Sequence, residues 1–187
     1  MSYAQRRRFL LLLFLAGLLL IGIAANATTF LRLDFSRLTR TATAVARLRC
    51  AASESFLENG QIWTDTRFAV LETDKGNLPS AITVRTPGGS AAGVTAHVEG
   101  APRFRPGEEV FLFLLAAPGE PFRVLGWAQG TFRIARGPRG GSERLTQDSA
   151  ALPVYDPARR EFRAEGLRNV TVDEFRARVQ RALAAAQ

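Results

Sequence analysis

The sequence TATAVARLRCAASESFLENGQIWTDTRFAVLE, residues 41–72, carries the clearest indication of the fold. Its first half alternates apolar and other residues with a period of two, which is typical of a β-strand. Asn59-Gly60 then interrupts the strand, and both positions of this dipeptide accept the positive φ that a tight hairpin turn requires. Residues 61–72 carry the β-branched and aromatic side chains of a partner strand. The stretch predicts a long hairpin within a β domain.

Further strand signals follow the hairpin, each bounded by glycine- or proline-rich turns. We expect strands over residues 81–86, 93–98, 109–115, 123–129, 131–136 and 143–146. The segment 109–115 is almost entirely apolar, which predicts a strand buried on both faces. Pro106-Gly107 suits a type II turn, and residues 155–158 suit a last turn before the C-terminal region.

Helices are predicted at both ends of the β region. Asp34 suits the N-cap of a short helix within a lead-in over residues 28–40, with Phe35 and Leu38 on one face. Thr171 and Glu174 have the spacing of a capping box, which opens a helix over residues 171–185. The apolar face of that helix comprises Val172, Phe175, Val179 and Leu183. About seven strands between two helices predict a mainly β fold, either a small closed OB-like barrel or a sandwich, as a single domain over residues 41–187.

The first 27 residues have the pattern of an export signal. Three arginines at positions 6–8 precede an uncharged apolar run over residues 9–24, and Ala25-Asn26-Ala27 supplies a cleavage site. We expect Thr28 to begin a mature protein in the periplasm or outside the cell. The alternative is an uncleaved helix over residues 9–25 that anchors the chain in the inner membrane. Arg6-Arg7-Arg8-Phe9-Leu10 fits the twin-arginine pattern, but the leucine-rich run favours general secretion.

Composition limits the possible classes of protein. Arginine outnumbers lysine 24 to 1, which indicates a GC-rich bacterial genome. Removing residues 1–27 leaves 22 basic against 17 acidic side chains and lowers the net charge from +8 to +5. This charge is too modest and too dispersed to indicate nucleic-acid binding. Cys50 is the single cysteine, so no intramolecular disulfide forms. We expect a buried thiol there, the alternative being a reactive or intermolecular cysteine.

Residues 35–132 resemble a family of uncharacterised exported bacterial proteins. The resemblance rests on the segments GQIWTD (60–65), TVRTPGG (83–89), PRFRPGEEV (102–110) and GWAQGTF (126–132). It implies an OB-like domain with no assigned activity. The general plan is also similar to netrin-type domains, which include metalloprotease inhibitors. Those inhibitors use an N-terminal cysteine held by disulfides, and Thr28 with the single Cys50 does not fit that mechanism.

The sequence contains few residues suited to metal or nucleophilic catalysis. His97 is the only histidine, and no cysteine or carboxylate stands at ligand spacing around it. A calcium site would have to use Asp65, Glu72 and Asp74, which do not belong to one loop. A hydrolase would have to use Ser90, His97 and Asp65, without the usual nucleophile-elbow motif. We therefore expect no catalytic, metal-binding or cofactor-binding residues, and a protein that is not an enzyme.

The sequence evidence for glycosidase activity, phosphate binding and nucleic-acid binding is equally weak. Glu108 and Glu109 lie at a turn and at the start of a strand, and this position does not indicate the pair of catalytic carboxylates of a glycosidase. The loop over residues 137–141 is rich in glycine but lacks the Lys-Ser/Thr of a phosphate-binding loop. Nucleic-acid binding on an OB-like surface would use aromatic and basic residues together, here Trp63, Phe104, Phe132, Arg67 and Arg133. The expected burial of the phenylalanines and the expected export both argue against such a partner.

A binding surface remains the favoured interpretation. Loops carry function in β scaffolds, and the loops over residues 88–93 and 137–141 have the glycines for unusual backbone shapes. We predict an exported, non-enzymatic interaction module whose partner is an envelope or secreted protein. The alternatives are a membrane-tethered structural protein that retains residues 1–27, and a Ser90–His97 hydrolase. An exposed apolar patch would favour the interaction module.

Overall fold

The computed structural model describes residues 31–137 and 141–185. The predicted export signal and the central part of the 137–141 loop lie outside these residues. The helices are α1 (Phe35–Thr41) and α2 (Val172–Ala184). The strands are β1 (Ala44–Glu58), β2 (Gln61–Lys75), β3 (Ala81–Pro87), β4 (Gly89–Ala91), β5 (Val94–Ala96), β6 (Glu109–Leu115), β7 (Arg123–Val124), β8 (Thr131–Arg136), β9 (Glu143–Gln147), β10 (Pro153–Asp156), β11 (Glu161–Ala164) and β12 (Val170–Thr171).

The predicted central hairpin is confirmed. β1 and β2 are 15 residues each and pair antiparallel from Glu58–Gln61 at the tip to Val45–Lys75 at the base. Asn59 (φ 52°) and Gly60 (φ 77°) form the turn in the left-handed region, as the dipeptide predicts. The register shifts between Cys50 and Ala52, so the long ribbon bends along its length.

The main sheet is antiparallel and open. Its strand order is β12-β9-β8-β6-β1-β2-β3, and β7 pairs with β6 beside this path. The predicted mainly β fold is confirmed, but closure into an OB-like barrel is not, because β8, β9 and β12 extend the sheet beyond β6 and leave β3 at the opposite end. A single parallel bridge joins Val84 of β3 to Phe122, with hydrogen bonds from Arg85 N and Phe122 N of 2.8 and 2.9 Å. One bridge covers the edge of β3 only locally.

Both faces of the sheet are packed. On one face, side chains of β1, β2, β3 and β6 form a buried cluster. Leu48, Phe68, Val84 and Leu112 belong to it. The opposite face packs against the two helices. β6 belongs to both clusters and is fully buried from Val110 to Leu114, which confirms the prediction for residues 109–115. The sheet therefore lies at the centre of the domain around β6 and the base of β1, whereas most of the distal half of the β1–β2 ribbon is exposed or half-buried.

The helices form where the capping signals predict them. Asp34 Oδ1 accepts a hydrogen bond from Arg37 N at 2.7 Å and begins α1. Thr171 and Glu174 form the complete capping box at the start of α2, with bonds of 3.1 and 2.9 Å. Phe175 is fully buried on the sheet, and burial of one such side chain contributes about 2–3 kcal/mol.

Two parts of the strand prediction are wrong. The expected strand over residues 123–129 ends at Val124, and Trp127–Gly130 is a 3₁₀ turn. Gly126 (φ 62°) and Trp127 (φ 50°) are both left-handed, which no strand accommodates. The last turn expected at residues 155–158 is present at residues 157–160, but it joins two strands, β10 and β11, that the sequence did not predict. Asp156 accepts from Ala158 N at 2.9 Å and reverses the chain there. Among the described residues no helix has the length and apolar character needed to span a membrane.

Candidate functional site

A small hairpin, β4–β5, crosses the inner face of the β1–β2 ribbon near its tip. We call residues 89–96 the arm. Gly89 (φ 127°) lies so close to the ribbon that a Cβ on it would be 2.2 Å from Ser55 Oγ and 2.3 Å from Thr64 Oγ1. Gly88 N donates to Ile62 O at 2.7 Å, and Thr64 Oγ1 donates to Gly88 O at 2.6 Å. These contacts fix the base of the arm on the ribbon.

A row of hydroxyl groups lies beneath the arm. Ser53 and Thr66 are 3.0 Å apart across the two strands, and Ser55 and Thr64 are 2.8 Å apart. Thr64 has one hydroxyl hydrogen and gives it to Gly88 O, so Ser55 is the donor in its own pair. The row is hydrogen-bonded within itself and to Gly88 O. Along the ribbon it lies between the core residues Cys50 and Phe68 and the apolar tip residues Leu57 and Ile62.

The tip and the arm enclose an apolar groove of about 650 Å³. None of its ten lining residues carries a charge: Leu57, Gly60, Gln61, Ile62, Pro87, Ala91, Ala92, Val94, Ala96 and Val98. Leu57 and Val94 are 56% and 60% exposed, whereas Ile62 is nearly buried at the floor. Large apolar side chains left open to water beside a concave surface are typical of binding sites.

The groove offers two modes of contact. Its apolar walls can exclude water from an inserted apolar side chain. In addition, β5 pairs with β4 alone among the described strands, so the outer edge of the arm leaves backbone groups for an added strand. No nucleophile or titratable side chain lines the groove, so its chemistry is that of recognition.

The structure does not bring the hydrolase candidates together by hydrogen bonds. Ser90 Oγ lies 2.8 Å from Thr95 Oγ1, on the arm. His97 Nδ1 lies 3.0 Å from Arg103, and its Nε2 lies 3.4 Å from Glu99. Asp65 forms a two-pronged ion pair with Arg85, at 2.7 and 2.8 Å. Each of the three therefore has its own partners within the described part of the chain.

The calcium candidates do not form one site. Asp65 pairs with Arg85, while Glu72 and Asp74 both pair with Arg176 of α2. In residues 31–137 and 141–185 no group of three or more His, Cys, Asp or Glu side chains could hold a metal ion. Asp74 Oδ2 is buried without a hydrogen-bond partner, and burial raises the pKa of this carboxyl.

The aromatic and basic residues considered for nucleic acid do not form one surface. Phe132 is fully buried on the helix side of the sheet, and Phe104 is nearly buried on the other side. Arg133 lies 5.2 Å from the centre of the Phe104 ring, and its guanidinium also pairs with Glu108 and Asp148. Trp63 is covered instead by Arg123, at 5.2 Å.

Cys50 is only 2% exposed and forms no disulfide, in line with the buried thiol expected from the sequence. Burial raises its pKa, which keeps the thiol protonated and unreactive, and its Sγ lies 3.8 Å from Ser53 Oγ.

Glu109 belongs to an ion cluster at one edge of the helix-covered face. Arg47 donates to Glu109 at 2.5 Å and to Glu143 at 2.8 Å, and Arg49 donates to Glu109 at 2.6 Å. Burial opposes ionisation of Glu109, but the hydrogen bonds from Arg49 and Arg47 hold its pKa below the usual value. Hydrogen bonding from Arg47 likewise lowers the pKa of Glu143. The cluster is internally neutralised, which points to a structural role.

The sequence indicated the location of the groove only in part. Its glycines marked the loop over residues 88–93, which becomes β4 and the turn of the arm, but nothing marked the apolar wall opposite. Leu57 and Ile62 flank the Asn59-Gly60 turn and face each other across the ribbon. Two large apolar residues beside a turn that is expected to be exposed are the feature of the sequence that could have predicted this wall of the groove. The companion loop over residues 137–141 lies partly outside the described residues.

No protein-family model matches this chain, and no similar curated protein or solved structure was found. The resemblance to an exported bacterial family therefore stays a prediction from the sequence.

Proposed function

We propose that this protein is an exported, non-enzymatic β domain that binds an envelope or secreted protein through the groove between the ribbon tip and the arm. The observation that supports this proposal is the uncharged lining of the groove together with the exposed Leu57 and Val94. Covering these two side chains would remove apolar area from water, which is the main favourable term in association. An OB-like relationship is part of the proposal, and the Val84–Phe122 bridge that leads β3 towards β7 and β6 supports it.

The partner expected from this geometry presents an extended apolar segment. The uncharged lining would penalise a charged insert, because a buried charge without a counter-charge loses its hydration. The free edge of β5 would pair with the backbone of the segment, and its alternate side chains would enter the groove. This mode uses the arm as it is held on the ribbon at Gly89 and adds the partner at the edge of β5.

The test is affinity capture of the C-terminally tagged chain from the envelope and the medium of the producing cell, with intact-mass analysis of the recovered protein. A mass that begins at Thr28 supports export with cleavage. A mass that begins at Met1 supports the tethered alternative. The partner is then purified and titrated against the wild-type chain.

Matched variants connect the binding to the groove. Leu57→Ser with Val94→Ser should weaken the partner at least about tenfold, because anchoring apolar residues dominate interface energies. Leu31→Ser with Phe162→Ser alters two similarly exposed side chains, each 60% exposed, outside the groove lining, and should leave the affinity unchanged. Equal affinity of the groove variant and the wild type would overturn the proposal, as would recovery of the wild-type chain alone.

A further inference from the structure

A second apolar surface lies on the β10–β11 hairpin. Tyr155 pairs with Phe162, and Pro153 pairs with Ala164, so these four side chains share one face. Leu31 joins the same face through a bridge to Tyr155, and Arg32 N donates to Tyr155 O at 2.9 Å. We call Leu31, Pro153, Tyr155, Phe162 and Ala164 the apolar hairpin face.

This face points away from the domain. Val154 and Asp156 alternate with Pro153 and Tyr155 along β10 and are both 3% exposed, so they define the inward side. Leu31 and Phe162 are each 60% exposed, and the rings of Tyr155 and Phe162 lie 5.2 Å apart. An antiparallel sheet normally presents polar side chains to water on its outer face. Here every outward position is apolar.

An arginine lies in the turn that ends the face: Arg159, whose side chain is 56% exposed. Arg160 also lies in the connecting turn and makes no ion pair with any described residue. Arg32 and Arg163 follow Leu31 and Phe162 directly and so lie on the opposite, inward side. There Arg32 pairs with Asp156 and Glu165, and Arg163 pairs with Glu161 and Glu165. Aromatic rings beside arginines are the combination found at the surface of anionic membranes.

The sequence ahead of Leu31 brings this face near a bilayer. The apolar run ends at residue 24, and only residues 25–30 separate it from Leu31. Six residues extend to at most about 20 Å. While the apolar run is in the membrane, before cleavage or without it, the apolar hairpin face is held within that distance of the lipid headgroups.

We propose that the apolar hairpin face contacts the surface of an anionic lipid bilayer, with Leu31 and Phe162 inserted at the headgroup boundary and the turn residues Arg159 and Arg160 on lipid phosphates. A second copy of the chain is a less suitable occupant, because two such faces would bring the turn arginines of both copies, including Arg160 with no ion pair to a described residue, into one interface. The proposal concerns a different surface from the groove and does not rest on the protein-binding function.

The test places an environment-sensitive fluorophore on the turn of the hairpin through Ala158→Cys. Ala158 is exposed, and the native Cys50 is 2% exposed and so is not labelled in the folded protein. The labelled protein, as the cell exports it, is mixed with vesicles of phosphatidylglycerol and phosphatidylethanolamine, or with vesicles of phosphatidylcholine alone. We expect a blue shift with the anionic vesicles, a smaller one with the neutral vesicles, and a decrease at high salt.

Two double variants decide the outcome. Leu31→Ser with Phe162→Ser should weaken the response about tenfold or more, because it removes the two inserting side chains. Leu57→Ser with Val94→Ser should respond as the wild type does. If residues 1–27 remain, the apolar run binds every vesicle. The blue shift of the fluorophore at position 158 should still depend on Leu31 and Phe162, and this dependence shows whether the apolar hairpin face contacts the bilayer. Thermal unfolding of each variant confirms that the fold is intact.

The proposal is overturned if the label does not respond to the anionic vesicles, or if its response survives the loss of Leu31 and Phe162. A shift that grows with protein concentration in the absence of vesicles would instead assign the face to a second copy. Because the groove variant serves as the control, failure of this proposal and failure of the protein-binding function are separate results.

Discussion

The ammonium group of Lys75 donates to the carbonyl oxygen of Thr39 at 2.8 Å, and also to those of Arg40 and Ala42. These carbonyls form the C-terminal end of α1, while Lys75 is the last residue of β2. A helix C-terminus carries unpaired carbonyls and a partial negative charge. A compact ammonium with three donors can satisfy three of them at one point, whereas a planar guanidinium cannot. This geometry accounts for the only lysine in a chain with 24 arginines.

We expect Lys75→Met to lower the free energy of unfolding by about 1–3 kcal/mol, because the carbonyls at the end of α1 lose their donor. Lys75→Arg should cost about half as much, since the charge remains but the geometry does not fit. Urea unfolding measures both changes. Arg67→Lys, at an exposed position of β2, is the control and should have no effect. A Lys75→Arg variant as stable as the wild type would show that charge alone matters there.

Because of Glu109, we expect the free energy of unfolding to decrease as the pH falls into the acid range. Its folded pKa lies below its unfolded value of about 4.5, so its contribution is complete above that pH and is lost as the pH falls through the folded pKa. Glu109→Gln should cost about 2 kcal/mol at neutral pH and should flatten the stability profile below pH 4.5. Urea unfolding across pH measures this. Glu54→Gln, on an exposed position of β1, is the control, and equal acid slopes for Glu109→Gln and the wild type would contradict the prediction.

Gly89→Ala should detach the arm. Its φ of 127° opposes a side chain, and the hydroxyl oxygens of Ser55 and Thr64 lie within 2.3 Å of the position that the added Cβ would take. We expect a loss of about 2–4 kcal/mol, together with loss of binding at the groove. Gly93→Ala separates the backbone strain from the steric clash. Gly93 has a φ of 75°, but no atom lies within 4 Å of its Cβ position. That variant should cost only about 1 kcal/mol and should keep the groove, as thermal unfolding and partner titration would measure.

The parts of the fold that could be predicted from the sequence are those set by local chemistry. The Asn59-Gly60 turn, the Thr171–Glu174 capping box and the apolar strand at residues 109–115 each follow from a few neighbouring residues. The closure of the sheet depends instead on which strands pair at its edges, and no local pattern records that β3 ends the sheet. The 3₁₀ turn at Trp127 was missed because its neighbours have strand-like side chains. The turn makes a tertiary hydrogen bond, from Ala128 N to Gly100 O at 3.0 Å, which no local pattern records.

Gln129 holds the lead-in segment to the domain. Its Oε1 accepts a hydrogen bond from Leu33 N at 2.7 Å, and its Nε2 donates one to Leu31 O at 2.9 Å. The buried side-chain amide thus bonds the backbone of this segment as a neighbouring β-strand would. Gln129→Leu keeps the volume but leaves both backbone groups unpaired, and should cost about 2–3 kcal/mol. Hydrogen exchange at Leu33 should accelerate more than exchange in β6.

Gln180→Leu, on the exposed face of α2, is the matched control and should change neither quantity. Because Leu31 belongs to the apolar hairpin face, Gln129→Leu should also weaken the vesicle response of a label at position 158. Unchanged protection of Leu33 would mean that the Leu31–Tyr155 bridge alone holds the segment. A weakened vesicle response with full protection of Leu33 would mean that Gln129 acts on the hairpin by another route, through the Gln147 side chain that donates to its carbonyl oxygen.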